Sequence, residues 1–210
     1  MDDGLPSSLE AARVDGLPST AYYIPDFITE EEERLMLAKI AAAPKPRWKQ
    51  LTRRRLQTWP SDLVRDRLLD APLPPWLQDV VVPRLLSLPV SAEDGRHIFT
   101  RSPHQRPNHV LVNEYPPGVG IMPHKMAPRI GLSCALLLIT TESLYTDYLH
   151  GIADIDEDVD LSDVINWSRL GNPAAYVDGR NMRGTRVSLT YRDVLSVSTA
   201  ANKMGLLARR

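Results

Sequence analysis

The sequence predicts an α+β fold that is mainly β, and three observations carry that prediction. Eighteen prolines against eleven glycines over 210 residues favour many short elements joined by rigid turns. Several short aliphatic segments alternate in polarity, as half-buried strands do. Helical start and stop signals are confined to the N-terminal half. With 43% apolar and 24% charged residues and a net charge of −1, the chain suits one soluble globular domain and excludes collagen, coiled-coil and wholly disordered classes. No run reaches the roughly 18 to 20 apolar residues of a membrane span. The single cysteine, Cys134, excludes an intrachain disulfide and a multi-cysteine zinc site. Asp2 and Asp3 precede any basic residue and no apolar core leads to a cleavage site, so no secretory signal is predicted. The cytoplasm and nucleus are the expected compartments.

Residues 1–20, among them Pro6, Ser7, Ser8, Gly16, Pro18 and Ser19, lack sustained periodicity and are expected to form a flexible leader. The expected domain spans 21–195, and 196–210 form a C-terminal tail. Tyr22 to Ile24 should be a short strand, turned by Pro25 and Asp26. Thr29 then caps a helix, with Glu32 completing a capping box and four glutamates loading the first turn. Pro44 stops that helix near Ala43, and Leu35, Leu37, Ile40 and Ala41 are its expected buried face. A second helical segment runs from Trp76 through Leu85 behind Pro72, Pro74 and Pro75. Strands are expected at His109 to Tyr115, Leu136 to Thr140, Leu144 to Leu149 and Arg186 to Arg192. The aspartate-rich stretch Ile152 to Asp163 lacks the glycine and terminal carboxylate of a calcium loop and reads as a solvated acidic connection.

Lys45, Arg47, Lys49, Arg53, Arg54 and Arg55 form the strongly basic stretch, with Trp48 and Trp59 beside them. Two readings stand: a nucleic-acid surface of phosphate-binding cations and stacking indoles, or a solvated hairpin whose tryptophans are half core. Among five histidines, His97, His104 and His109 read as surface or turn residues. His124 follows a Pro/Gly-rich turn, and His150 ends the strand before Gly151. Two neutral imidazoles on neighbouring strands are what a non-haem iron centre requires, provided that a carboxylate joins them. Along the last strand Arg186, Ser188, Thr190 and Arg192 share one face, so a guanidinium at each end could grip a diacid. Asn113 and Tyr115, also two apart, can donate further hydrogen bonds to the same ligand.

Taken together, these strings resemble the Fe(II)/2-oxoglutarate dioxygenases of the AlkB family, and within it the branch called AlkB homologue 6. The segments are YYIPDFITEEEE, APKPRWKQL, NHVLVNEYPPGVGIMPH, TDYLHGI and RGTRVSLTYR, and the resemblance covers Tyr22 to His124 and Ala135 to Arg192. It implies a double-stranded β-helix, or jelly roll: two facing sheets with flanking N-terminal helices and iron at one open end. It implies His124 and His150 as the iron histidines, and Asn113, Tyr115, Arg186 and Arg192 around 2-oxoglutarate. No catalytic residue beyond the metal centre is implied. Fe(II) is the implied cofactor, 2-oxoglutarate and O2 are co-substrates, and N-alkylated nucleic acid is the substrate class.

One departure is as informative as the match. Where the family pattern has an iron carboxylate two positions after the first histidine, this chain reads His124, Lys125, Met126. A neutral thioether is a poor substitute for a hard carboxylate oxygen on Fe(II), so impaired catalysis is expected. The 25 residues from Lys125 to Leu149 are also fewer than the family pattern, with 125–134 as a junction, so the β-helix is expected to be incomplete between the two histidines. An alternative transcript or an imperfect gene model would produce this. Glu142, Asp147 and Asp154 are the nearest replacement carboxylates, though Asp147 falls on the face opposite His150. Two other readings remain: a non-catalytic chain that binds nucleic acid or a partner through its basic stretch, and an unstable truncated product.

Overall fold

Asp26, in the left-handed region at φ 48°, turns the chain from β1 (Ala21–Ile24) toward α1 (Glu30–Ala41). The expected capping box forms: Glu32 N donates to Thr29 Oγ1 at 3.2 Å, and Thr29 N donates to Glu32 Oε2 at 2.8 Å. The buried stripe is Met36 and Ile40, one turn apart. It is not the predicted face with Leu35 and Leu37. Those two flank Met36 by about 100° on either side, and both stay exposed. Arg84 grips Glu32 with two hydrogen bonds, at 2.7 and 2.9 Å, and so ties the start of α1 to the third helix. The computed structural model describes residues 4–17, 20–125, 129–133, 136–141, 144, 147–159, 161, 164–170, 176 and 179–198, with 125 and 129–133 described through the backbone alone.

After α1 come β2 (Lys49–Gln50), β3 (Arg55–Trp59) and β4 (Leu68–Leu69), then α2 (Pro75–Gln78) and α3 (Val81–Ser87). The single second helix expected from Trp76 is therefore two short ones, with Leu77 and Val81 fully buried. The strands β5 (His109–Tyr115), β6 (Ile121–Lys125), β7 (Arg129–Ser133), β8 (Leu136–Thr140) and β9 (Leu149–Ile152) follow. They are succeeded by β10 (Glu157–Asp158), β11 (Asn181–Met182), β12 (Arg186–Arg192) and β13 (Val197–Ser198).

Among the described residues, β1-β8-β7-β12-β5-β3-β2 form one seven-stranded sheet. Its pairs β1–β8, β7–β8, β7–β12, β12–β5, β5–β3 and β3–β2 are all antiparallel. One face packs on the helices: Val110 and Val112 of β5, Leu189 and Tyr191 of β12, and Leu137 and Ile139 of β8 share a cluster with Met36, Ile40, Leu77 and Leu85. Each such fully buried aliphatic side chain contributes about 1.5–3 kcal/mol relative to exposure. Two polar anchors fasten the helices. The hydroxyl of Tyr191 donates to Leu77 O at 2.9 Å, and Gln57 Nε2 to Ile40 O at 2.9 Å. Among the described residues three two-stranded pairs stand apart from this sheet: β6–β9, β10–β11 and β4–β13.

Three further expectations need correction. Order begins well before Ala21: Leu9, Ala12 and Val14 are buried, and Leu9 N donates to Pro89 O at 2.9 Å. Their apolar side chains fill the edge of the core, which sparse spacing concealed. At the other end Val197 and Ser198, expected in the tail, pair in parallel with Leu68 and Leu69. The strand expected at Leu144 to Leu149 instead runs Leu149–Ile152, with Asp147 in a turn. Residues 129–133, inside the stretch read as a junction, form β7, an interior strand between β12 and β8, which is compatible with that reading. Met126 and Cys134 lie outside the described residues, as does Glu142.

Candidate functional site

Cross-strand register decides which side chains share the face away from the helices. Tyr115 pairs with Arg186, Asn113 with Ser188, Leu111 with Thr190 and His109 with Arg192, so these eight positions line one side of the β5–β12 pair. The guanidinium of Arg186 lies 4.0 Å from the Tyr115 ring centroid. Asn113 is buried and its Oδ1 accepts a 3.1 Å hydrogen bond from Arg54 Nε. The four residues expected around a diacid are thus on one face. Arg192 stands six residues from Arg186, about 20 Å along the strand, and only side chains leaning toward one another would bring the two guanidinium groups onto one ligand.

His109 belongs to this face and is fully buried, which corrects its reading as a surface or turn residue. Burial, and after it the charge of Arg192, pushes its pKa down to about 4. The sequence held the clue. Residues 109, 111, 113 and 115 alternate onto one side of a strand. His104 does lie in a turn and is partly exposed, with Nδ1 2.6 Å from Oδ1 of the Asp193 carboxylate.

The two expected metal histidines meet on the ribbon. His124 and His150 are direct cross-strand partners with ring centroids 4.1 Å apart. His124 Nδ1 lies 2.8 Å from Met122 O, and His150 Nδ1 lies 3.2 Å from His124 O. A carbonyl can only accept, so Nδ1 is the donor in each ring, and Nε2 is the ring atom that could meet a metal. Pro123 has no N–H for a ladder bond, and the register shifts between Ile121 and His124. Close approach also shapes the ribbon. A Cβ on Gly120 would stand 2.0 Å from Ile152 O, so only glycine fits there.

Among the described residues, no group of three or more His, Cys, Asp or Glu side chains could hold a metal ion. Asp154, a candidate replacement carboxylate, is committed elsewhere: Oδ1 accepts from Gly120 N at 2.7 Å and Oδ2 pairs with Arg53 at 2.6 Å. Arg53 first, and Gly120 second, hold its carboxyl below the usual carboxylate range. Asp158 is lowered chiefly by Arg183, whose Nη2 lies 2.6 Å from its Oδ1. The acidic connection is therefore docked at these carboxylates rather than wholly solvated.

The basic stretch is largely spent within the chain. Arg47 and Arg55 cover Trp59 and Trp48, each 4.1 Å from its ring centroid, and both indoles pack on the core. Arg55 is also bonded to Glu114 at 2.6 and 2.9 Å. This half of the stretch matches the half-core alternative. Lys45, Lys49 and Arg53 face solvent, the last two beside Asp62 and Asp154.

No family model matches the chain. It is 35% identical to the probable RNA/DNA demethylase ALKBH6 of Danio rerio, over 91% of this chain and 93% of that protein. Among solved structures, that of OsALKBH1 is similar with a TM-score of 0.51, covering 84% of this chain and 99% of the other. At 13% identity that likeness is one of fold, and it agrees with the mainly β jelly roll expected from the sequence. Among the described residues, no helix is long and apolar enough to cross a membrane.

Proposed function

The chain belongs to the AlkB family, and on that premise we propose that it binds 2-oxoglutarate on the face of β5 and β12 turned away from the helices and acts on nucleic acid as an iron dioxygenase with a weakened metal site. The shared face of Asn113, Tyr115 and Arg186 carries this reading. Two guanidinium groups, an amide and a phenol offer donors and positive charge to a dicarboxylate, and a flat guanidinium can grip a carboxylate with two hydrogen bonds. The described residues therefore fit the co-substrate. They do not complete an iron shell, because two neutral imidazoles lack the anionic partner that a hard ferrous ion requires. In this family the metal and 2-oxoglutarate together supply the oxidising power for removing N-alkyl groups. Lys45, Lys49 and Arg53 face solvent, where phosphate can compete with Asp62 and Asp154 for the last two, and a nucleic-acid substrate suits residence in cytoplasm and nucleus.

The test is an anaerobic titration of Fe(II) with 2-oxoglutarate, followed by the visible charge-transfer band of the iron–keto-acid complex. The wild type should show little or no band at iron concentrations where Met126→Asp shows a clear one. Equal bands in both proteins would overturn the weakened metal site. Absence of 2-oxoglutarate binding in either protein would overturn the co-substrate assignment.

A further inference from the structure

The turn joining β2 to β3 carries two neighbouring arginines whose side chains serve different ends. Arg53 pairs with Asp154 in solvent, its guanidinium more than half exposed. Arg54 turns inward. Its Nε donates to Asn113 Oδ1 at 3.1 Å, and its guanidinium carbon lies 5.7 Å from the Tyr115 ring centroid. The turn is braced for this: Leu51 N donates to Arg54 O at 2.8 Å, and Gln50 Nε2 donates to Leu51 O at 2.8 Å and to Arg54 O at 3.3 Å.

Charge bookkeeping sets Arg54 apart. Lys49, Arg53 and Arg55 each have a carboxylate partner, in Asp62, Asp154 and Glu114. Arg54 meets the neutral amide of Asn113, and among the described residues no acidic side chain pairs with it. Tyr115 lies near Arg186 on one side of this arrangement and near Arg54 on another, so two half-buried cations gather around one phenol. The hydrogen bond has a second consequence. A guanidinium has only donors, so the Asn113 atom facing it is the carbonyl oxygen, and Nδ2 is turned away as a donor.

We propose that Arg54 is a positioning residue of the dicarboxylate pocket: it fixes the Asn113 amide as a donor and adds a third guanidinium to the charge that Arg186 and Arg192 bring. This rests on the co-substrate reading above, deepens it, and assigns Arg54 away from nucleic acid. The test is a double-mutant cycle on the full chain, with 2-oxoglutarate dissociation constants measured by calorimetry for wild type, Arg54→Ala, Asn113→Ala and the double variant. Each single change should weaken binding about tenfold, the usual scale for a hydrogen bond to a charged group. The double variant should fall well short of the product of the two, because both changes remove one shared interaction. Arg54→Lys, which keeps the charge and loses the Nε donor, should bind between wild type and Arg54→Ala, and it carries the cycle if Arg54→Ala fails to fold. Wild-type affinity in Arg54→Ala, or two factors that multiply fully, would overturn the proposal. Failure of the wild type itself to bind would instead overturn the co-substrate reading, a separate result.

Discussion

His109 should make the stability of this protein fall as the pH drops toward 4. Its imidazole is fully buried opposite Arg192, and burial first and that guanidinium second lower its pKa to about 4. In the unfolded chain a histidine titrates near 6.5. Above about pH 6.5 the ring is neutral in both states and favours neither. Between about 6.5 and 4 the unfolded state takes up a proton that the folded state refuses, so stability is lost as pH falls through that window. The displacement amounts to about 3 kcal/mol by pH 4. Asp62, on the facing loop, opposes the shift and Arg192 reinforces it. The assay is urea unfolding followed by tryptophan fluorescence, on wild type and His109→Gln, from pH 7 to pH 4. The glutamine variant does not titrate, so the stability gap between the two proteins should change by about 3 kcal/mol in favour of the variant over that range. Parallel pH profiles would refute the reasoning.

Three further outcomes follow from particular contacts. Tyr191→Phe removes the buried hydrogen bond to Leu77 O and should cost about 1–2 kcal/mol of unfolding free energy, with the fold retained by circular dichroism. Gly120→Ala drives a Cβ into Ile152 O, so the β6–β9 ribbon should separate: amide exchange should accelerate at residues 121–125 and 149–152 while β5 and β12 stay protected. Thr29→Ala breaks the capping box and should cost about 1 kcal/mol in thermal unfolding experiments, without affecting 2-oxoglutarate binding.

Much of this was legible where one local pattern dictates one geometry. The Thr29 capping box and the strands His109–Tyr115, Leu136–Thr140 and Arg186–Arg192 follow from caps and alternation, which act within a few residues. Alternation likewise set Asn113 and Tyr115 on one face and Arg186 and Arg192 on another, and pairing then joined the two. What escaped depends on long-range contact. β6 follows and overlaps a Pro/Gly-rich stretch that reads as a turn, and β7 carries no alternation that marks a strand; only their partners β9, β8 and β12 draw them into strands. Leu9 and Val14 are too sparsely spaced to signal a core, yet the sheet edge buries them. The basic stretch looked uniform in composition, whereas the fold separates Arg47 and Arg55 on indoles, Arg53 on Asp154 and Arg54 on Asn113.

The most direct measurement is a calorimetric titration of 2-oxoglutarate into the wild type and into Arg186→Gln, anaerobically and with Mn(II) in excess. Saturable one-to-one binding by the wild type, weakened at least about tenfold when the guanidinium over Tyr115 is removed, is the expected result. No saturation in the wild type, or equal affinity in the two proteins, would contradict the dicarboxylate pocket on which the functional account is built.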